Sequence, residues 1–152
     1  MVHEVIKKEF DNKVVEIRRV TRVVAGGKRM RFRALVVIGD RNGRVGIGLR
    51  KGVDVADAIG KATSQAKKHL IQAPLKDGTI PQRIQMEYKS AVVLLKPARA
   101  GTGIIAGGPV RAVLSLAGVK NITSKMLGSS NKISNVRATY EALRQLRERF
   151  SE

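Results

Sequence analysis

Residues 29–46 read Arg-Met-Arg-Phe-Arg-Ala-Leu-Val-Val-Ile-Gly-Asp-Arg-Asn-Gly-Arg-Val-Gly. Alternation over 29–38 predicts a β-strand with Met30, Phe32, Ala34 and Val36 on one face and Arg29, Arg31 and Arg33 on the other. The strand rise sets those arginines about 7 Å apart. Asp40-Arg41-Asn42-Gly43 is a hairpin signal, because Asn-Gly accepts the positive φ of a tight turn. Residues 44–49 then return as a short strand. Upstream, 13–25 alternates loosely through Val15, Ile17 and Val20, and Gly26-Gly27 supplies the turn that leads back into Arg29. The expected product is a three-stranded antiparallel meander, with 1–12 as an irregular lead-in.

A helix follows the meander. Asp54 is the expected N-cap and Asp57 sits at the favoured end of the dipole. Val55, Ile59, Ala62, Ala66 and Leu70 form the expected buried stripe, with Lys61, Lys67 and Lys68 off it. Gly60, costly inside a helix, implies close packing on the sheet. Pro74 to Pro81, with Asp77-Gly78, reads as a turn-rich linker and as the boundary between two small domains, 10–74 and 80–150. Past it come Ile84, Met86 and an apolar strand around 91–95. A glycine-rich stretch at 101–108 runs into Pro109, which suits a first helical turn. Val110, Val113, Leu114 and Ala117 make that helix's stripe, and Gly118 its C-cap. Residues 119–122 read as a short strand and 128–131 as a loop. Asn131 or Ser134 caps a last helix that buries Val136, Tyr140, Leu143 and Leu146. The fold class is α+β in two small domains.

The 152 residues carry 30 Lys plus Arg against 12 Asp plus Glu, a formal charge of +18, so an acidic partner is expected. Between Ile17 and Gly39 there is no acid, but there are Arg18, Arg19, Arg22, Lys28, Arg29, Arg31 and Arg33. A second acid-free stretch, 88–140, carries Lys89, Lys96, Arg99, Arg111, Lys120, Lys125, Lys132 and Arg137. A merely solvated face mixes both signs, so a polyanion surface is the better reading, nucleic acid ahead of a membrane. With no Trp, two Tyr and three Phe, a reader of stacked single-stranded bases is disfavoured. The candidate nucleic-acid-contacting set is Arg18, Arg19, Arg22, Lys28, Arg29, Arg31, Arg33, Arg44, Arg50, Lys51, Lys132 and Arg137. Arg33 has a competing reading, an ion pair with Asp40 or Asp54.

Chemistry of other kinds finds little support. Cys is absent, which removes disulfides and thiolate sites, and the two histidines, His3 and His69, have no ligand-spaced partner. No metal, cofactor or small-molecule substrate is expected. Capping accounts for Asp54 and Asp57, and no nucleophile and base are spaced for catalysis, so no enzyme is expected. No secretory leader or membrane span is expected, which makes the cytoplasm the default. Residues 101–108 miss both the Walker A and the dinucleotide patterns. Two readings stand for that strip: backbone amides meeting a phosphate, or a close backbone approach by another chain. Gly43 and Gly46 have the spacing of a KH clamp but sit in a hairpin, which rejects it.

Three motifs together resemble the ribosomal protein S-five family of the bacterial small subunit. They are 28–46, then Lys96-Pro97-Ala98 with Gly101–Arg111 and on to Val113, then Gly128-Ser129-Ser130-Asn131 with Val136-Arg137-Ala138-Thr139. The similarity spans about residues 10–147. It implies a double-stranded-RNA-binding-like first domain, with a three-stranded sheet and one helix, and a βαβα second domain with a left-handed crossover. It implies a structural constituent of the small ribosomal subunit that binds 16S ribosomal RNA and contributes to assembly, messenger entrance and decoding accuracy. The partners it implies are ribosomal proteins S-four and S-eight, and messenger RNA where it enters the subunit. The segment 19–29 matches the family's arm toward RNA. Gly101, Gly103, Ile104, Gly107, Gly108 and Arg111 match its contact with S-four, which favours the close-approach reading of that strip. The chain departs from the family at Arg18, at Gly48-Leu49-Arg50-Lys51 and at Arg99-Ala100, and is expected to lack the longer tail of some members. The alternative is a stand-alone basic protein that binds double-stranded nucleic acid.

Overall fold

The computed structural model describes residues 10–150. Strands β1 (Asp11–Val24), β2 (Gly27–Gly39) and β3 (Arg44–Gly52) form the meander, followed by α1 (Val55–Lys68) and a two-residue strand β4 (Ile71–Gln72). The first sheet therefore has four strands, in order β1-β2-β3-β4, rather than three. Of the lead-in, residues 1–9 lie outside the described residues, while Asp11 and Asn12 already pair with β2. The strand at 29–38 has the expected two faces, and both are covered where it crosses the core. Ala34, Val36 and Ile38 pack on Ala58, Ala62 and Ala66 of α1, with Phe32 at the rim. Leu35 and Val37 point the other way, into a larger core built mainly by the second half of the chain.

Helix α1 starts as its sequence implies, with the Asp54 side chain accepting from the Asp57 backbone N–H at 2.7 Å. Its buried stripe is turned relative to the expected one. Ala58, Ala62 and Ala66 are fully buried, whereas Val55 is exposed. The cause is on β3, where a Cβ at Gly52, Gly48 or Gly46 would collide with backbone at Ala58, Ala62 or Ala66 respectively. Three glycines facing three alanines bring helix and strand backbones together, a contact larger side chains would hold apart. Gly60 lies on the opposite, exposed side with nothing near its Cβ position, so it does not pack on the sheet.

The second half contains β5 (Ile84–Tyr88), β6 (Ala91–Pro97), β7 (Ile104–Ile105), α2 (Gly108–Ala117), β8 (Ile122–Met126) and α3 (Lys132–Phe150). Its sheet runs β5-β6-β8-β7, with β7 parallel to β8 and α2 connecting them. The strand expected at 119–122 begins instead at Ile122. Val119 is buried in the turn after α2, its N–H donating to the Leu114 carbonyl at 3.1 Å. Gly118 closes α2 in the left-handed conformation at φ 92°. Asn131 caps α3, accepting from the Ile133 N–H at 3.0 Å, while Ser134 is buried inside the helix.

Val110, Ala112, Val113, Leu114, Leu116 and Ala117 are all buried, so α2 is covered nearly all round, as an element between two layers must be. The 40–43 turn joins the two halves. Arg41 and Gly43 donate backbone hydrogen bonds to the carbonyls of Leu116 (3.0 Å) and Ala117 (2.8 Å). A Cβ at Gly39 would strike Leu116, and one at Gly118 would strike the Arg41 carbonyl. The hairpin turn that the sequence marks so plainly is thus also the joint.

Candidate nucleic-acid interface

Pairing between β2 and β3 starts at Phe32, while β1 and β2 pair down to Val24 and Gly27. The distal β1–β2 hairpin therefore projects beyond the third strand as an arm. The register sorts the basic residues, because residues directly opposite in antiparallel strands share a face. Arg18 lies opposite Arg33, and Arg33 opposite Lys51, which puts three cations in one row across three strands. Further out, Arg22 lies opposite Arg29, and Arg31 opposite Val20. Arg18, Arg22, Arg29, Arg31, Arg33 and Lys51 thus occupy the face opposite α1. Arg19, Lys28 and Arg50 belong to the α1 side, since their partners there are Phe32, Val23 and Ala34. An open groove of about 790 Å³ follows the arm, lined among others by Arg22, Lys28, Arg29, Arg31 and Lys51.

Like charges directly opposite in a sheet are destabilising unless something offsets them. Within the chain that something is Glu16, half-buried beside the row, which holds Arg18 at 3.2 Å and Arg33 at 3.9 Å. This answers the Arg33 question: its carboxylate is Glu16, not Asp40 or Asp54. Arg19, Arg22, Lys28, Arg29 and Arg31 have no carboxylate within ion-pair distance among the described residues. Arg44 is placed differently. Its guanidinium bonds Asp40 at 2.8 Å and lies 4.8 Å from the centre of the Phe10 ring, so it braces the hairpin turn. Burial raises the Asp40 pKa. The Arg44 side chain and the backbone N–H groups of Asn42 and Arg44 outweigh that and hold the carboxyl below its ordinary value. Arg137 lies in a cleft between the halves, beside Leu35, Leu49 and Tyr140, and 6.0 Å from the Tyr88 ring centre. Lys132, exposed at the start of α3, stands across from Arg18 and Arg33.

The glycine-rich strip has no amides to spare at its start. Gly101 and Gly103 both donate to Oδ1 of the buried Asn121, at 3.1 and 3.0 Å. Both need positive φ, 91° and 75°, which accounts for glycine there without any neighbour. Gly107 approaches the flexible end of Met126, while Gly108 meets nothing and has an ordinary φ. Arg111 donates from one guanidinium arm to the Ile104 carbonyl at 3.1 Å, and the neighbouring Ile105 is exposed. A strip whose first amides are already bonded internally is a poor phosphate cradle.

Glu16 and Asn121 were not legible as site residues from sequence, because each acts on groups that only the strand register or a turn brings near. No group of three or more His, Asp or Glu side chains among the described residues could hold a metal ion. No helix among them is long and apolar enough to cross a membrane.

An α+β chain that projects a two-stranded arm lined with arginines and lysines has the features of a basic nucleic-acid-binding protein. Family models of ribosomal protein S5 match both halves, the N-terminal domain over residues 10–74 and the C-terminal domain over 86–149. The chain is 56% identical over 139 residues to the small ribosomal subunit protein uS5 of Persephonella marina, covering 91% of this chain and 72% of that one. It is 50% identical over 139 residues to the protein of the same name from Treponema pallidum, covering 91% and 81%. The chain belongs to the ribosomal protein S5 family.

Proposed function

We propose that the β1–β2 arm and the row Arg18–Arg33–Lys51 are the surface through which this chain holds 16S ribosomal RNA, mainly by its phosphates. As a member of its family the chain is a structural, non-catalytic protein of the small ribosomal subunit, in the cytoplasm. The observation that carries the proposal is the set of cations on and around one exposed arm, of which, among the described residues, only Arg18 and Arg33 have a carboxylate, Glu16, within ion-pair distance. Arg22, Arg29 and Arg31 bind from the face opposite α1, and Arg19 and Lys28 from the α1 side, so the arm meets RNA on both faces, with Arg50 of β3 beside its base. In this reading residues 10–74 form the RNA-binding unit and 80–150 the unit that meets neighbouring proteins. The strip at Gly101, Gly103, Ile104, Gly107, Gly108 and Arg111 packs on ribosomal protein S-four. Ribosomal protein S-eight and messenger RNA at its entrance complete the surroundings.

Phosphate contacts position without reading sequence. Arg29→Ala combined with Arg31→Ala should therefore weaken binding while leaving the preferred RNA unchanged. Hydroxyl-radical protection of 16S ribosomal RNA should disappear along the backbone facing the arm. An unchanged footprint in the double variant would refute the assignment.

A further inference from the structure

A second polar hollow lies away from the arm, where the two halves meet. It measures about 350 Å³ and is lined by Glu16, Arg18 and Arg33 from the first sheet and by Ser129, Ser130, Asn131 and Lys132 from the second half. More than 90 residues of sequence separate the two groups. Resting on the RNA-binding reading above, we infer that this hollow is a single anion pocket in which both halves of the chain grip one RNA backbone phosphate.

The argument starts from charge. Arg33 has Arg18 opposite it on one side and Lys51 on the other, and Lys132 faces the same hollow from α3. Against Arg18, Arg33 and Lys132 the hollow has one carboxylate, Glu16. Glu16 forms an ion pair with each arginine and a hydrogen bond with neither, at 3.2 Å from the Arg18 Nε and 3.9 Å from the nearest Arg33 nitrogen. Two planar forks and an ammonium converging on one space suit a tetrahedral oxyanion, which accepts from several donors at once.

The opposite wall is held in place. A Cβ at Gly128 would strike the Ser90 carbonyl, and the Ser129 N–H donates to that carbonyl at 2.9 Å. The fully buried Asn135 side chain donates from beneath to the carbonyls of Ser129 and Asn131, both at 2.9 Å. The Ser129 hydroxyl accepts from the Asn131 N–H at 3.1 Å. Internal bonds thus fix the loop, and Ser130 is part of the lining. A preset wall of this kind reduces the ordering cost of binding.

The test is a salt-titrated affinity measurement of the 152-residue chain on a 16S ribosomal RNA transcript. The variants are Arg33→Gln, Lys132→Gln, the two together, and Glu16→Gln. Each single cation variant should weaken binding several-fold and lower the salt slope by about 1, the signature of one lost phosphate. The double variant should lose little beyond either single variant, because both cations serve the same phosphate. Additive losses with a slope lowered by about 2 would mean two separate phosphates and overturn the inference. So would unchanged binding by Lys132→Gln, a surface change that leaves the fold intact. Removing the hollow's one carboxylate in Glu16→Gln should tighten binding. If Arg18 and Arg33 serve only to neutralise Glu16, that variant would bind no better, which also counts against the pocket. A wild-type chain whose affinity ignores salt would defeat the RNA reading itself, a result distinguishable from the other three.

Discussion

The glycines of β3 and those of residues 101–108 look alike in sequence and answer to different neighbours. At Gly46, Gly48 and Gly52 the space for a Cβ is taken by the backbone of α1. At Gly101, Gly103 and Gly108 that space is open. The first group sets a distance inside the protein. In the second, backbone conformation explains Gly101 and Gly103, and Gly108 alone has no internal reason to be glycine. A glycine-rich stretch is therefore not one signal, and its meaning depends on what stands where the side chain would have been.

The contrast can be broken most forcefully at Gly48. A methyl group there meets the Ala62 carbonyl, a backbone atom that moves only with α1. Gly48→Ala should destabilise the chain by about 3 kcal/mol, the upper range for overpacking, read as a lower urea midpoint. A midpoint equal to that of the parent would show that α1 can slide away from β3.

A smaller effect is expected at the joint between the halves, which keeps the two glycine groups on one scaffold. Asp40 accepts from the Asn42 and Arg44 N–H groups at 2.8 and 3.1 Å and pairs with the Arg44 guanidinium. Asp40→Asn should cost about 1 kcal/mol near neutral pH, since the pair is partly solvated. The sign with pH follows from the lowered pKa. The carboxylate's contribution is fully present above the unfolded value of about 3.9 and fades as pH falls through the lower folded value. Thermal melts of parent and variant should differ near pH 7 and converge near the acid end. A constant difference down to full protonation would assign the effect to shape rather than charge.

The smallest effect on stability belongs to Gly108. Gly108→Val should leave the melting curve within about 0.5 kcal/mol of the parent, as surface changes usually do. The same variant should weaken capture of ribosomal protein S-four in a pull-down. Gly103→Val is a poorer probe, because its φ of 75° adds strain at once. Undiminished capture by the Gly108 variant would remove the close-approach reading of the strip.

Much of this was legible in the sequence, and the reasons differ by element. The period of 29–38 and the Asn42-Gly43 turn carried the meander, because strand alternation and turn chemistry are local. Gly118 and Pro109 marked the ends of α2 for the same reason. The two-residue β4 has no local period and exists because Arg44 and Val45 offer it an edge. The bounds of β8 are hidden in the sequence, because Ser124, a polar residue, occupies one of its buried positions, while apolar Val119 is buried in a turn. The stripe of α1 is not legible from its apolar spacing, because the small Ala58 is buried and the larger Val55 is exposed. Only the glycines of β3 make the small face the inner one. In the candidate site the basic residues were visible from the missing acids, but their division between two faces follows from register. The meeting of Arg18 and Arg33 with Lys132 follows from tertiary packing, which no spacing rule reports.

The central claim is that a dense, nearly uncompensated set of cations holds RNA through its phosphates. Its most direct test is the affinity of the unmodified chain for 16S ribosomal RNA between 50 and 200 mM salt, by filter binding. With roughly 6–10 phosphate contacts the affinity should fall about 10³–10⁵-fold over that range. An affinity that stays level over the same range would contradict the account.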